Sequence, residues 1–107
     1  MENRFLGLIE TSIKNHWDLP AFSDYEGHTY HYKDVARRIE KFHIILEHAG
    51  IKKGDKVAIL LMNCLEWLPI YFGILKSGAL AVPLNYRYTS EEIKYCLGLA
   101  EVDALIF

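Results

Sequence analysis

The chain has 107 residues, 51% hydrophobic and 24% charged, with a formal net charge of −2. A chain of this length can bury roughly two-thirds of its unfolded surface around one core. The near-neutral balance excludes a general electrostatic pull toward nucleic acid or an anionic membrane, and apolar runs such as residues 57–62 fall far short of the ~20 residues of a membrane-spanning helix.

Residues 3–16 place Phe5, Leu6, Leu8, Ile9 and Ile13 at helical spacing and predict an amphipathic helix, broken by His16-Trp17-Asp18 and Leu19-Pro20. Two short extended pieces, 21–24 and 28–30, joined by Tyr25-Glu26-Gly27, predict a small peripheral hairpin. From residue 32 to 49, Val35, Ile39, Phe42, Leu46 and Ala49 make one apolar stripe of a helix, with Gly50 at the left-handed C-cap. The turn I-K-K-G-D-K, whose lysines read as a solvated face, leads into Val57-Ala58-Ile59-Leu60-Leu61-Met62. That continuous apolar run suits a parallel strand covered on both faces.

Asn63 then reads as an N-cap, with Glu66 in the capping-box place, for a largely buried helix running to Ser77 and stopped by Gly78. Pro69 is expected to remove a backbone bond to Leu65 and bend that helix near its start. Residues 79–84 form the next strand, with Pro83 near its end where a missing donor is tolerable. Thr89-Ser90-Glu91-Glu92 is a full capping box for a helix to Ala100 with Ile93, Cys96, Leu97 and Ala100 on one face, and residues 104–107 begin a third buried strand.

Helix–strand alternation of this kind predicts an α/β fold: a partial parallel sheet with flanking helices, preceded by a helix and a small hairpin. No linker divides it, so residues 1–107 form a single incomplete domain, with 1–31 as helix and hairpin and 32–107 as helix–strand repeats. The apolar strand at Phe107 leaves sheet edges uncovered, and the chain is expected to be the front part of a longer polypeptide.

Local chemistry is sparse. Cys64 and Cys96 belong to no CxxC pair and read as free, buried thiols of a reducing cytoplasm. The opening residues turn polar too soon for a secretory signal. His28 and His31 are three apart, but no carboxylate or thiol completes a ligand set around them, so no metal site is expected. His43 reads as a half-buried packing residue. No GxSxG elbow or paired acid motif occurs. Gly73 and Gly78 mimic a GxxxxG spacing, but Ala79-Leu80 follows instead of Lys and Ser/Thr, which leaves packing and a C-cap as their roles. A receiver-type signalling domain would need acidic residues where Leu61-Met62-Asn63 stands.

The segments T-Y-H-Y-K-D-V (29–35), G-I-K-K-G-D-K-V-A-I (50–59), N-C-L-E-W (63–67), K-S-G-A (76–79), V-P-L-N-Y-R-Y-T-S-E-E (82–92) and D-A-L-I-F (103–107) occur in that order. Together they resemble the N-terminal part of the AMP-forming adenylating enzymes, the superfamily of acyl-CoA synthetases, firefly luciferase and peptide-synthetase adenylation domains. The P-L-N-x-R-x-T-x-E-E pattern is most similar to fatty-acyl-CoA ligases. The resemblance covers essentially the whole chain and departs at His31, where the family often has a Ser or Thr helix cap.

The resemblance implies a parent ligase that uses ATP, Mg2+ and coenzyme A. A carboxylic acid, expected to be a fatty acid, would become an acyl-adenylate and then a CoA thioester. The family's phosphate loop, adenine and ribose contacts and C-terminal lysine lie beyond Phe107. No catalytic residue is therefore assigned, and the segment alone is expected to bind no cofactor and to be inactive. The family also implies that the loop Asn85-Tyr86-Arg87 lies near the channel for the pantetheine arm of coenzyme A. The structural reading of the same residues is that Asn85 stabilises a turn while Arg87 pairs with Glu91 or Glu92. The expected partners are the remainder of the polypeptide, the acid, ATP and CoA, with self-association through exposed edges and a cytoplasmic location. A rival reading is a small α/β protein-interaction module without catalysis.

Overall fold

The computed structural model describes residues 4–62 and 64–107. Asn3, the first residue of the predicted opening helix, and the predicted cap Asn63 lie outside them. The opening helix α1 (Arg4–Asn15) turns Leu6, Ile9 and Ile13 inward. It is followed by an antiparallel hairpin of β1 (Pro20–Ser23) and β2 (Thr29–His31), in which Phe22 lies opposite Tyr30. Both pack on α2 (Tyr32–His48), so that Ile13, Val35, Ile39 and Phe72 form one core cluster with Ala21, Phe22 and Tyr30 around it.

Helix α2 starts without a cap from the His31 imidazole, the weak acceptor that its chemistry suggests. Asp34 compensates, its carboxylate accepting from the His31 amide at 2.9 Å. At the other end Gly50, with φ of 86°, closes a Schellman turn. The Gly50 amide donates to Glu47 and the Ile51 amide to Leu46, both at 3.0 Å.

Three parallel strands form the sheet in the order β4 (Leu80–Pro83), β3 (Lys56–Ile59), β5 (Ala104–Ile106). The central strand is covered on both faces, and Val57, Ala58 and Ile59 are 0% exposed. The predicted strand at 57–62 is shorter than its apolar run. Pairing ends at Ile59, beside Pro83 and Ile106, and Met62 is 64% exposed. The amides of Leu80 and Leu84 donate to Asp55 at 2.7 Å and to Ile59 at 2.8 Å. By strand alternation the donor that Pro83 lacks therefore faces the outer edge, where it costs no ladder bond.

Helix α3 (Trp67–Lys76) begins later than its sequence suggests. Glu66 is the N-cap residue but its side chain caps nothing; its carboxylate is engaged by Tyr30 and Arg38 instead. This start moves Pro69 into the first helical turn, where backbone amides have no intrahelical acceptor. Pro69 therefore breaks no bond to Leu65 and is fully buried. Cys64 lies in the preceding turn and is exposed, against the expectation of a buried helical thiol. Helix α3 ends in a second Schellman turn at Gly78, with φ of 75°, where the Gly78 amide donates to Leu75 at 3.0 Å and the Ala79 amide to Ile74 at 3.3 Å. Gly73 and Gly78 thus serve packing and C-capping, as their spacing without a following Lys suggests.

Helix α4 (Ser90–Ala100) carries the predicted box: Glu92 donates its amide to the Thr89 hydroxyl at 3.2 Å and accepts the Thr89 amide at 3.0 Å. Its face of Ile93, Cys96, Leu97 and Ala100 is only half-buried, and no α4 residue is fully buried. Lys56 ties the last strand in place. Its amide donates to the Asp103 carboxylate at 2.8 Å, it accepts the Asp103 amide at 2.7 Å, and its ammonium reaches the Ala100 carbonyl at 2.9 Å.

Candidate functional site

Open parallel sheets bind ligands outside the carboxyl ends of their strands. Here that edge carries the segment from Leu84 to Thr89, between β4 and α4. Asn85 builds its turn twice over. Its side-chain oxygen accepts the Arg87 amide at 2.9 Å, and its carbonyl accepts the Tyr88 amide at 3.0 Å. Asn favours such turns because its short amide reproduces a backbone acceptor two residues ahead. The turn expectation for Asn85 is met.

Arg87 does not make the ion pair expected with Glu91 or Glu92. Glu92 is committed to the Thr89 amide, which, with the Thr89 hydroxyl, holds its carboxyl below the ordinary carboxylate value. The Arg87 guanidinium folds back over the ring of Tyr86 instead, its Cζ 5.6 Å from the ring centroid and its Nε donating to the Tyr86 hydroxyl at 3.3 Å. Asn85, Tyr86 and Arg87 all remain exposed. Beside them a depression of about 340 Å³ is lined by Tyr88, Glu91, Glu92, Tyr95 and Cys96.

Two further clusters form where local spacing carries little signal. Tyr30 of β2 donates its hydroxyl to Glu66, and Arg38 of α2 lies 3.6 Å from the same carboxylate oxygen and 5.4 Å from the Tyr30 ring centroid. Burial, followed by the Glu66 carboxylate, pushes the Tyr30 phenol up to about 12. Tyr30 and Glu66 are 36 residues apart, so no local spacing announces the contact. The other Glu66 oxygen, Oε2, is buried without a partner among the described residues.

The hairpin turn brings two carboxylates beside His28. Asp24, Glu26 and His28 bring one ligand-type atom each within 4.8 Å of the others. The His28 Nδ1 lies 3.0 Å from Asp24 and 3.9 Å from Glu26. The alternating D-Y-E-G-H spelling is the signal, since a tight turn folds alternate residues together. The turn also occupies Asp24, whose Oδ1 accepts the amides of Glu26 and His28. Desolvation raises its carboxyl, but the His28 amide and imidazole outweigh this and hold it low. His31 turns to Asp34 instead. His43 is half-buried as expected, its Nδ1 3.0 Å from the Ser77 hydroxyl.

With this geometry established, three comparisons locate the chain. The model of the AMP-binding enzyme family matches residues 9–107. Long-chain fatty acid transport protein 6 of Mus musculus is 33% identical over 87 residues, 80% of this chain and 14% of its own length. A long-chain-fatty-acid–CoA ligase of Escherichia coli O157:H7 is 31% identical over 100 residues, 92% of this chain and 18% of its own. The crystal structure of the N-terminal domain of FACL13 from Mycobacterium tuberculosis superimposes with a TM-score of 0.90 at 25% identity, covering 98% of this chain and 26% of that one. The chain thus spans less than a fifth of the length of these curated relatives. Its small parallel sheet with flanking helices matches the fold of about a quarter of that N-terminal domain. The chain belongs to the AMP-binding enzyme family.

Proposed function

We propose that this chain is the front part of an ATP-dependent, AMP-forming carboxylate–CoA ligase and supplies scaffold to a site completed by further polypeptide. In the parent reaction a carboxylate attacks the α-phosphate of Mg-ATP, giving an acyl-adenylate and pyrophosphate. The thiol of coenzyme A then attacks the acyl carbon and expels AMP. The acid is a fatty acid in this reading, in keeping with the similarity to a long-chain-fatty-acid–CoA ligase. The enzyme is cytoplasmic, and no helix among the described residues is long and apolar enough to cross a membrane.

The observation that carries the reading is the Asn85-Tyr86-Arg87 turn. It stands at the carboxyl edge of a parallel strand in a chain of the AMP-binding family, with a guanidinium that no carboxylate neutralises among the described residues. The loop borders the path of coenzyme A, with Arg87 facing a phosphate and Tyr86 packed against Arg87. A free-standing interaction module is the weaker reading. Helix α4 has no fully buried residue, and its Tyr95 and Leu99 are 70% and 73% exposed. That suits a domain of residues 1–107 that other parts of the same chain complete.

Pyrophosphate release with ATP and a long-chain fatty acid tests the reading. The full-length ligase should release it and form the CoA thioester, while the 107-residue chain should stay at background. Turnover by the short chain, or a long chain that makes adenylate but uses no CoA, would each contradict it.

A further inference from the structure

Resting on the CoA reading of this loop, we propose that Tyr86 is a positioning residue, holding the Arg87 guanidinium ready for a phosphate group of coenzyme A. An arginine on an exposed turn ordinarily sweeps many rotamers or collapses onto the nearest carboxylate. Neither happens here. The backbone of Arg87 is pinned by the Asn85 side chain at 2.9 Å. Its Nε is engaged by the Tyr86 hydroxyl at 3.3 Å, and the face of the guanidinium rests 5.6 Å from the Tyr86 ring centroid.

The competing carboxylate is removed by the helix cap. Glu92 is held by the Thr89 amide at 3.0 Å. Glu91 forms no ion pair with Arg87 among the described residues. A guanidinium has five N–H donors in a planar fork. With Nε turned to Tyr86, the Nη groups are left for a planar two-point contact with phosphate oxygens. The same three contacts restrict the rotamers that a binding event would otherwise have to freeze, which is preorganisation.

Coenzyme A and pantetheine, used as alternative acceptors by the full-length ligase, distinguish a phosphate contact from a contact to the thiol arm. Arg87→Ala should raise the KM for coenzyme A about tenfold with kcat within about twofold, the size of one lost charge-assisted contact. Tyr86→Ala should raise it roughly three- to fivefold, and Tyr86→Phe, which keeps the ring face but loses the hydroxyl acceptor, by roughly twofold. The double variant Tyr86→Ala/Arg87→Ala should equal Arg87→Ala alone, because Tyr86 acts through the arginine. With pantetheine, which has no phosphate, all four should match the parent enzyme. ATP–pyrophosphate exchange and far-ultraviolet circular dichroism report whether each variant is folded.

A wild-type KM in Tyr86→Ala together with a raised one in Arg87→Ala overturns the positioning role and leaves the CoA reading standing. Additive losses in the double variant also overturn it, since Tyr86 would then touch coenzyme A itself. An unchanged KM in Arg87→Ala removes both the positioning role and the phosphate contact beneath it.

Discussion

Gly73 of α3 and Phe42 of α2 stand so near each other that a Cβ added at Gly73 would lie 2.9 Å from the Phe42 Cβ and 3.3 Å from the Ile39 carbonyl oxygen. Both obstructions belong to the rigid part of α2, so neither can swing away as the tip of a long side chain can. Gly73→Ala would gain roughly 1 kcal/mol of helix propensity. It would lose more by prising apart the two helices that unite both core clusters, with a net destabilisation of about 1–3 kcal/mol. Urea denaturation should show the midpoint falling with little change in slope. A stabilised variant would show that the helices separate freely.

Backbone conformation sets the second expectation. Gly50 and Gly78 hold φ of 86° and 75°, in the left-handed region. No side chain crowds Gly50, so Gly50→Ala isolates the conformational cost of roughly 1 kcal/mol. At Gly78 an added Cβ would also meet the Lys53 Cγ at 3.2 Å, and Gly78→Ala should cost somewhat more. Equal melting temperatures for the two alanine variants would contradict the added contact at Lys53.

Tyr30 gives a pH dependence. Its phenol rises from 10.0 to about 12 because burial and the Glu66 carboxylate both disfavour the phenolate. The folded state therefore holds that proton more tightly than the unfolded chain does. The stabilisation is fully present below pH 10 and is lost as pH rises from about 10 through about 12. Ultraviolet difference titration should show one tyrosine ionising late, and Tyr30→Phe should abolish that phase. The same substitution strips Glu66 of its hydroxyl donor, leaving a carboxylate already short of partners, and should lower stability by about 1–3 kcal/mol.

Thr89→Ala removes the hydroxyl that accepts the Glu92 amide at the start of α4. The expected loss is about 1 kcal/mol, concentrated in α4, whose packing is light. The Thr89 amide and hydroxyl hold the Glu92 carboxyl below its ordinary value of 4.5. Its share of the cap is present above that value and fades as pH falls through the lowered one. Amide exchange in residues 90–95 should quicken at neutral pH in Thr89→Ala, while exchange in β3 stays slow. Uniform acceleration across the chain would show that α4 does not open on its own.

The helices, the alternation of helix and strand, both glycine C-caps and the Thr89–Glu92 box were legible because each depends on residues within about five positions of one another. What escaped the sequence was long-range. Glu66 sits three residues after a capable cap, a capping-box spelling, but its carboxylate is claimed by Tyr30 and Arg38 from other elements. The helix starts at Trp67, which places Pro69 in its first turn and makes it harmless. Strand β3 is shorter than its apolar run because such a run records burial, whereas a strand also needs neighbours to pair with, and pairing stops at Ile59. At the loop, the Asn85 turn was legible from its chemistry. The Arg87–Tyr86 stack was not, because choosing between a ring and a carboxylate required knowing that Glu92 was already engaged.

The two glycine-closed helix ends lie at the same end of the sheet, and they are tied together. The Gly54 amide donates to the Gly78 carbonyl at 2.9 Å, and the Leu80 amide to Asp55 at 2.7 Å. These bonds tie the two turns together across a short span, so one extra residue would shift a register. At the opposite end β4 leads into a turn that closes on itself through Asn85. Evolution or a protein engineer can therefore lengthen the chain between Arg87 and Thr89 while the strands keep their alignment. An insertion between Asp55 and Lys56 would slide β3 by one position and turn Val57 and Ile59 onto the opposite face. The molecule has one end on which its architecture depends, and residues 85–87 stand at the other, where strand alignment does not constrain them.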